Sequence, residues 1–94
     1  MAPSVFDPTA AWTLSPTVSL RPEPFGALAY DFKSRRLSFL KTRTIVRVVE
    51  GLETFPSARE AIQAAGVPNI EASAYIAALA RLAEAGLISR RPST

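Results

Sequence analysis

The spacing of apolar residues changes once along this chain, near Thr42, and that change limits the class of fold. Before Thr42 apolar residues alternate with others, as in Leu28, Tyr30 and Phe32, which is the period of a β-strand. From residue 45 to 52 they follow the i, i+3, i+4, i+7 spacing of an amphipathic helix. Strands that precede helices in the sequence are typical of an α+β domain with the helices packed on one sheet face.

Three apolar runs in the first half of the chain predict three strands of an antiparallel meander. The first run spans residues 12 to 20, and Pro16 interrupts it, which indicates an edge strand or a bulge. The second run covers residues 26 to 32, and the basic turn Lys33-Ser34-Arg35-Arg36 separates it from the third, residues 37 to 40. Which alternate set of side chains faces the helices stays open at this stage.

Capping signals in the second half predict three helices. Ser57 and Glu60 have the spacing of a capping box, and Gly66 and Gly86 stand where the second and third helices would end. A short helix, a Gly/Pro turn and a longer helix make a helix-turn-helix. The predicted fold is therefore α+β, winged helix-turn-helix-like, with a three-stranded antiparallel sheet followed by three helices.

With 94 residues the chain is expected to form one domain. We place this domain at residues 12–88, between a flexible N-terminal arm, residues 1–11, and a flexible C-terminal tail, residues 89–94. Trp12, at the start of the domain, is predicted to serve packing more than recognition.

The absence of cysteine and histidine excludes many functions. Without those residues the chain cannot form disulfides, and it lacks the usual protein ligands of zinc, haem and iron–sulfur clusters. It also cannot use Cys or Ser-His nucleophilic catalysis. Most routes to an enzyme are therefore closed, although an enzyme is not forbidden and a carboxylate-bound Mg²⁺ or Ca²⁺ remains possible. The N-terminus lacks both the basic start and the apolar core of a secretory signal. The longest uncharged run has 13 residues, which is too short for a membrane helix. The expected location is therefore cytoplasmic.

The net charge of +3 leaves several partners open. A DNA-reading helix should present cations to the groove, yet residues 70 to 86 contain only Arg81 against Glu71 and Glu84. Nucleic-acid binding is therefore disfavoured, but a winged-helix nucleic-acid-binding or dimerisation module remains the alternative reading.

Residues 12 to 41, WTLSPTVSLRPEPFGALAYDFKSRRLSFLK, closely resemble the MftB family of mycofactocin biosynthesis chaperones. The segments VSLRPEPFGAL and RRLSFL carry most of the specificity, and the resemblance extends from about Phe6 to Leu87. This family is similar to the PqqD-like recognition elements of ribosomally synthesised peptide pathways. Many PqqD-like proteins have Asp-Gly before the second helix, where this chain has Thr54-Phe55-Pro56, so the narrower match is the better one.

The resemblance implies a peptide-binding chaperone that holds the leader of a precursor peptide, MftA-like, and presents it to a radical S-adenosylmethionine enzyme, MftC-like. Such proteins are not enzymes, and the iron–sulfur clusters and S-adenosylmethionine would belong to the partner enzyme. The resemblance therefore implies that this chain is no enzyme and holds no metal or cofactor. No nucleic acid or membrane partner is implied.

The site that follows from the resemblance is the third strand, whose edge would accept the leader as an added strand. A groove for apolar peptide side chains would lie between this strand and the third helix. The predicted peptide-binding residues are Arg35, Arg36, Leu37, Ser38, Phe39, Leu40, Lys41, Tyr75, Leu79 and Leu82.

About half of the apolar members of this set are expected to be plain core, Phe39 and Leu79 first among them. Leu37, Leu40 and Tyr75 are the better candidates for peptide contact, and Leu40→Pro is expected to remove an edge donor from a folded protein.

Lys33, Arg35 and Arg36 would steer an acidic leader, as the family implies. The alternative is a solvated turn that protects the sheet edge from self-pairing, and the two readings carry equal weight.

Overall fold

The computed structural model describes residues 6–92. Within them lie five strands, three α-helices and one 3₁₀ turn. In chain order these are β1 Trp12–Leu14, β2 Val18–Glu23, β3 Gly26–Asp31, β4 Leu37–Leu40, α1 Arg43–Gly51, α2 Ala58–Ala64, the 3₁₀ turn Asn69–Glu71, α3 Ala72–Glu84 and β5 Ile88–Arg90.

The main sheet is antiparallel and has the strand order β2-β3-β4. It precedes the three helices in the sequence, which confirms the predicted α+β class. The first predicted strand, residues 12 to 20, is wrong as one element, because the chain turns at Pro16 and forms two strands in two different sheets. Ser15 stabilises this turn, since its N–H donates to Leu87 O (3.0 Å) and its carbonyl accepts from Val18 N–H (3.0 Å).

The second sheet consists of β1 and β5, which run antiparallel with Trp12 opposite Arg90. Ser89 and Arg90, which the sequence assigns to the flexible tail, belong to β5, where buried Ile88 anchors the strand. Three residues with one buried side chain give too weak a pattern to be recognised from the sequence. The rest of the predicted tail includes residues 93–94, which lie outside the described residues.

Residues 7–10, part of the predicted N-terminal arm, contact the start of α2. The carbonyls of Pro8 and Ala10 accept hydrogen bonds from Arg59 N–H (2.9 Å) and Ala58 N–H (3.1 Å). These donors have no partner inside a helix, so this segment caps α2. Residues 1–5 of the predicted arm lie outside the described residues.

Trp12 is a packing residue, as predicted. Its side chain is buried, and its indole N–H donates to the carbonyl of Asp7 at 2.9 Å. The Arg90 guanidinium lies 5.7 Å from the centre of the indole ring, within reach of a cation–π interaction. Trp12 therefore joins the N-terminal segment to the β1–β5 sheet.

The helix ends follow the sequence signals. At the C-terminus of α3, Leu87 N–H donates to Leu82 O (2.9 Å) and Gly86 N–H to Ala83 O (3.0 Å), which together form a Schellman motif. Gly86 has φ 79°, a left-handed conformation that glycine adopts without strain. At the start of α2, Glu60 N–H donates to the Ser57 hydroxyl at 3.1 Å, so the predicted cap forms.

The helices pack on only one face of the main sheet. On β3 the side chains of Ala27, Ala29 and Asp31 are buried, whereas Tyr30 between them is exposed. Small residues on this inner face allow α1 to approach β3 closely. The apolar residues that drew attention in the sequence, Leu28, Tyr30 and Phe32, therefore belong to the other alternate set of side chains.

Gly26, at the first position of β3, lies against the main chain of β4. A Cβ added at Gly26 would clash with the carbonyl oxygen of Leu40, and backbone cannot rotate away as a side chain can. We expect Gly26→Ala to destabilise the protein by about 1–3 kcal/mol, in the range of overpacking. Chemical denaturation measures this.

The matched control is Gly51→Ala in α1, where an added Cβ meets only the Phe55 side chain at 3.4 Å. Alanine favours helix over glycine, so this variant should be neutral or slightly more stable. Equal stability of the two variants would contradict the close approach of β3 and β4.

Candidate functional site

The outer edge of β4 has unpaired main-chain groups. Asp31 N–H donates to Arg36 O at 2.9 Å, which marks the first hydrogen-bonded pair between β3 and β4. Such pairs alternate with non-bonded pairs in an antiparallel ladder, so the N–H and C=O groups of Leu37 and Phe39 point away from β3. No other strand among residues 6–92 pairs with this edge.

The same alternation directs the main chain of Leu40 toward β3, where Ala27 is its partner. The side chain of Leu40 is 3% exposed and belongs to the core. The expectation that Leu40→Pro would remove an edge donor from a folded protein is therefore wrong. Proline there would break the ladder and empty a core position.

The opposite edge of the sheet, on β2, is less open to an added strand. Pro22 lies opposite Ala27, whose main chain faces β4, so the main chain of Pro22 faces outward and has no N–H to donate. Val18 N–H, also on this edge, already donates to Ser15 O at 3.0 Å. Leu20, between these two residues, also faces outward, so the β2 edge keeps some free groups but is interrupted on both sides of it. The β4 edge at Leu37 and Phe39 has no such interruption.

A groove of about 560 Å³ lies between β4 and α3, next to the free edge. Residues 37–42 form one wall. The other side is formed by residues of α1 and α3, namely Ile45, Ala74, Tyr75, Ala78, Arg81 and Leu82. Tyr75 is half-buried, whereas Leu82 is buried and shapes the bottom of the groove. An open, mainly apolar groove beside a free strand edge suits an extended chain with apolar side chains.

Seven of the ten predicted peptide-binding residues line this groove. They are Leu37, Ser38, Phe39, Leu40, Lys41, Tyr75 and Leu82. Leu79 does not line it, because it is fully buried in the core, as expected of it. Arg35 and Arg36 lie in the exposed turn before β4, beyond the groove, together with Lys33.

Phe39 was expected to be internal, and this is wrong. It is 55% exposed, and its ring lies 6.0 Å from that of Phe25 on the outer sheet face. Successive side chains of β4 point to opposite faces of the sheet, and Leu40 points inward, so Phe39 points outward. Phe39 reaches the groove at the strand edge.

Sequence reasoning missed several groove residues on the helices. Arg81 was considered only as a DNA contact, although it follows Ala74 and Ala78 on one stripe of α3 at helical spacing. Ala74 directly precedes Tyr75 and Ala78 follows it by three residues, so their positions on α3 next to a predicted groove residue could have identified them. Their small side chains leave the space that the groove occupies.

The groove carries positive charge. Its two charged lining residues are Lys41 and Arg81, and no acidic side chain in the described part of the chain lines it. The basic turn with Lys33, Arg35 and Arg36 continues this charge past the start of β4. An acidic peptide would therefore be attracted to both ends of the edge.

Asp31 shapes the turn that precedes β4. Its carboxylate accepts hydrogen bonds from the Thr17 hydroxyl (2.6 Å), Lys33 N–H (2.9 Å) and the Ser34 hydroxyl (2.9 Å). The hydrogen bond from Thr17 is the main reason that the pKa of Asp31 is lowered, and the bonds from the turn add to it. Arg35 takes a left-handed φ of 66° within this turn and donates its N–H to Asp31 O at 2.7 Å.

The lowered pKa of Asp31 predicts an acid-sensitive turn. A carboxylate with a depressed folded pKa stabilises the fold above its ordinary pKa of 3.8, and this contribution is lost as the pH falls through the lower folded value. We expect the Lys33 and Ser34 amide resonances to shift below about pH 4 in an NMR titration, and to lose that transition in Asp31→Asn.

Asp7→Asn is the matched control. The pKa of Asp7 is also lowered, by the Thr9 hydroxyl, but the turn before β4 is not among its hydrogen-bond partners. The Lys33 and Ser34 transitions should persist in this variant. Their disappearance in Asp7→Asn would refute the assignment to Asp31.

No helix within residues 6–92 has the length and apolar character needed to cross a membrane. In the same part of the chain no group of three or more acidic side chains is placed to hold a metal ion.

Comparison with known proteins gives one consistent result. The model of the peptide chaperone MftB family matches residues 11–89. A peptide chaperone MftB of Mycobacterium tuberculosis is 47% identical over 91 residues, covering 97% of this chain and 84% of the relative. Its counterpart in Mycolicibacterium smegmatis is 48% identical over 83 residues, covering 88% and 81%.

A third relative, the peptide chaperone MftB of Mycobacterium ulcerans, is 53% identical over 78 residues, covering 83% of this chain and 72% of the relative. All three relatives are named as chaperones and not as enzymes, in agreement with what the resemblance implies. No solved structure matches the chain.

Proposed function

The chain belongs to the peptide chaperone MftB family, and we propose that it captures the leader of an MftA-like mycofactocin precursor peptide by strand addition at β4. It then presents the other end of that peptide to an MftC-like radical S-adenosylmethionine enzyme. The chain itself contributes no cofactor, because redox chemistry belongs to that enzyme. The observation that carries this proposal is a free strand edge directly beside an apolar, cationic groove.

Main-chain hydrogen bonds supply part of the affinity. Leu37 and Phe39 each offer one N–H and one C=O to the peptide, which gives four bonds at most. At roughly 0.5–1.5 kcal/mol net per bond, they contribute about 2–6 kcal/mol. The ordering of a flexible peptide consumes about 2–5 kcal/mol or more, so the edge alone does not hold the leader.

Apolar side chains of the peptide supply the rest. Two of them buried against Tyr75 and Leu82 would add roughly 1.5–3 kcal/mol each. Micromolar affinity, which corresponds to about −8 kcal/mol, needs contributions of this size together with favourable charge. The bound segment is therefore an extended one with apolar side chains on the groove side.

Charge selects and orients the peptide. Lys41 and Arg81 border the groove, and the basic turn lies at the start of β4. Attraction between these cations and acidic residues of the leader would raise the association rate and favour one register of the bound peptide. The gain in affinity is modest because the cations are exposed. The same cations would also keep β4 from pairing with a second copy of the chain, so steering of the peptide and protection of the edge can both come from this basic turn.

The test is an NMR titration of the ¹⁵N-labelled protein with the precursor peptide. We expect the largest shifts at the Leu37 and Phe39 amides and along the groove side of α3, around Tyr75 and Arg81. A peptide with a scrambled leader is the control and should cause no shifts at these positions. Shifts concentrated on the β2 edge, or none, would reject the proposal.

Sedimentation in the same buffers separates capture from self-pairing. Strand addition by the peptide requires an edge that is free or becomes free. A dimer that persists unchanged while the peptide is bound would show that β4 pairs with its own copy. That result would support the dimerisation alternative.

A further inference from the structure

The outer face of the main sheet is an apolar surface that no described element covers. Tyr30 and Leu37 lie opposite one another on it, and Phe39 lies beside Phe25, with ring centres 6.0 Å apart. Phe32 continues the alternation past the end of β3. These five are exposed, and the remaining exposed large apolar residue in the described chain is Ile70, far along the sequence in the 3₁₀ turn. Five of six on one face indicate an interaction surface and not scattered exposure.

The rim of this face is cationic. Arg21 projects from β2 next to Leu28, Lys41 follows β4, and Lys33, Arg35 and Arg36 lie in the turn between β3 and β4. The acidic residue on this face, Glu23, pairs with Arg21 at 3.2 Å. Asp31 is buried on the opposite side of the sheet. The net rim charge is therefore strongly positive, which complements a partner with an apolar centre and an acidic rim.

This face and the groove meet at β4, where Leu37 and Phe39 belong to both, but their other residues lie on opposite sides of the sheet. The groove is lined by α1 and α3, which pack on the inner side of the sheet, whereas Tyr30, Phe32 and Phe25 belong to the outer side. A peptide in the groove leaves most of the outer face free. Two partners can therefore bind at the same time.

We propose that the outer sheet face, centred on Tyr30, Phe32 and Phe25, is the docking surface for the second protein, the maturase, through an apolar patch with an acidic rim on that enzyme. This inference rests on the proposed function, since the second partner is the enzyme that receives the peptide. Binding on the outer face places the enzyme beside the captured leader without displacing it. The charge complementarity argues against a basic partner surface and against a second copy, whose rim would be equally positive.

The experiment measures two affinities, for the purified maturase and for the labelled precursor peptide, with the full chain. The double variant Tyr30→Ser/Phe32→Ser removes the part of the patch farthest from the β4 edge. We expect the maturase affinity to fall at least about tenfold and the peptide affinity to change less than about threefold. Ile70→Ser is the matched control, because it removes a 90% exposed apolar side chain elsewhere and should change neither affinity.

Phe25→Ser, in the turn between β2 and β3, is the second variant and keeps the test valid if the double variant does not fold. A maturase affinity unchanged in the folded variants would overturn the proposal. So would an equal loss of peptide affinity, which would assign the face to the peptide. A wild-type dimer that these variants dissociate, with maturase binding intact, would assign the face to a second copy and overturn the proposal as well.

The two proposals fail in different ways. Maturase binding that depends on the outer face, in a protein that captures no peptide at β4, would leave this inference standing and reject the proposed function. Peptide capture by a wild-type protein that binds no maturase would do the reverse.

Discussion

Phe39→Pro should weaken binding of the precursor peptide at least about tenfold while the domain stays folded. The N–H of Phe39 points out of the sheet, so proline there removes a donor to the peptide but no bond to β3. The lost bond accounts for about 0.5–1.5 kcal/mol, and the proline ring also occupies the space that the peptide main chain needs. Edge strands tolerate proline when its nitrogen faces outward. Fluorescence anisotropy with labelled peptide measures the change.

Two controls separate the causes. Phe39→Ala keeps the N–H and removes the same ring, so it should bind the peptide much more tightly than Phe39→Pro. Leu40→Pro breaks the ladder to β3 and empties a core position, so it should unfold the domain. Equal peptide affinities for Phe39→Pro and Phe39→Ala would show that the peptide does not use the edge of β4.

Leu79→Ala should destabilise the protein by about 2–5 kcal/mol, because Leu79 is a core residue, as was expected of it within the predicted peptide-binding set. Its side chain is 0% exposed and does not line the groove, so its truncation leaves a cavity in the core. A loss of this size is a large part of the stability of a small domain. Urea denaturation followed by circular dichroism measures it.

Tyr75→Ala is the comparison within the same helix. Tyr75 is half-buried and lines the groove, so its truncation should reduce peptide affinity more than stability. Peptide affinity of the folded fraction distinguishes the two residues, since Leu79→Ala should retain it once unfolding is taken into account. Similar losses of stability in Leu79→Ala and Tyr75→Ala would contradict this assignment, because they would show that Tyr75 is a core residue and does not line the groove.

The sequence predicted a groove between β4 and α3, where the structure has one, but not which side chains of each element line it. For α3 the helical spacing of Ala74, Ala78 and Arg81 was present, yet two alanines give no apolar stripe that stands out. For β4 the sequence Leu-Ser-Phe-Leu has apolar residues in both parities. Either alternate set could therefore face inward, and the larger Phe39 was assigned wrongly to the core.

Local chemistry in the sequence determined the order of strands and helices, the helix ends at Gly66 and Gly86, and the exclusion of cysteine and histidine chemistry. Those features depend on backbone preferences and on residue types within a few positions of one another. The tertiary structure alone decided that Pro16 divides one apolar run between two sheets and that Leu40, not Phe39, faces the helices. Both depend on contacts between segments far apart in sequence, because packing against α1 and pairing with β5 select one parity and one partner where the local pattern permits two.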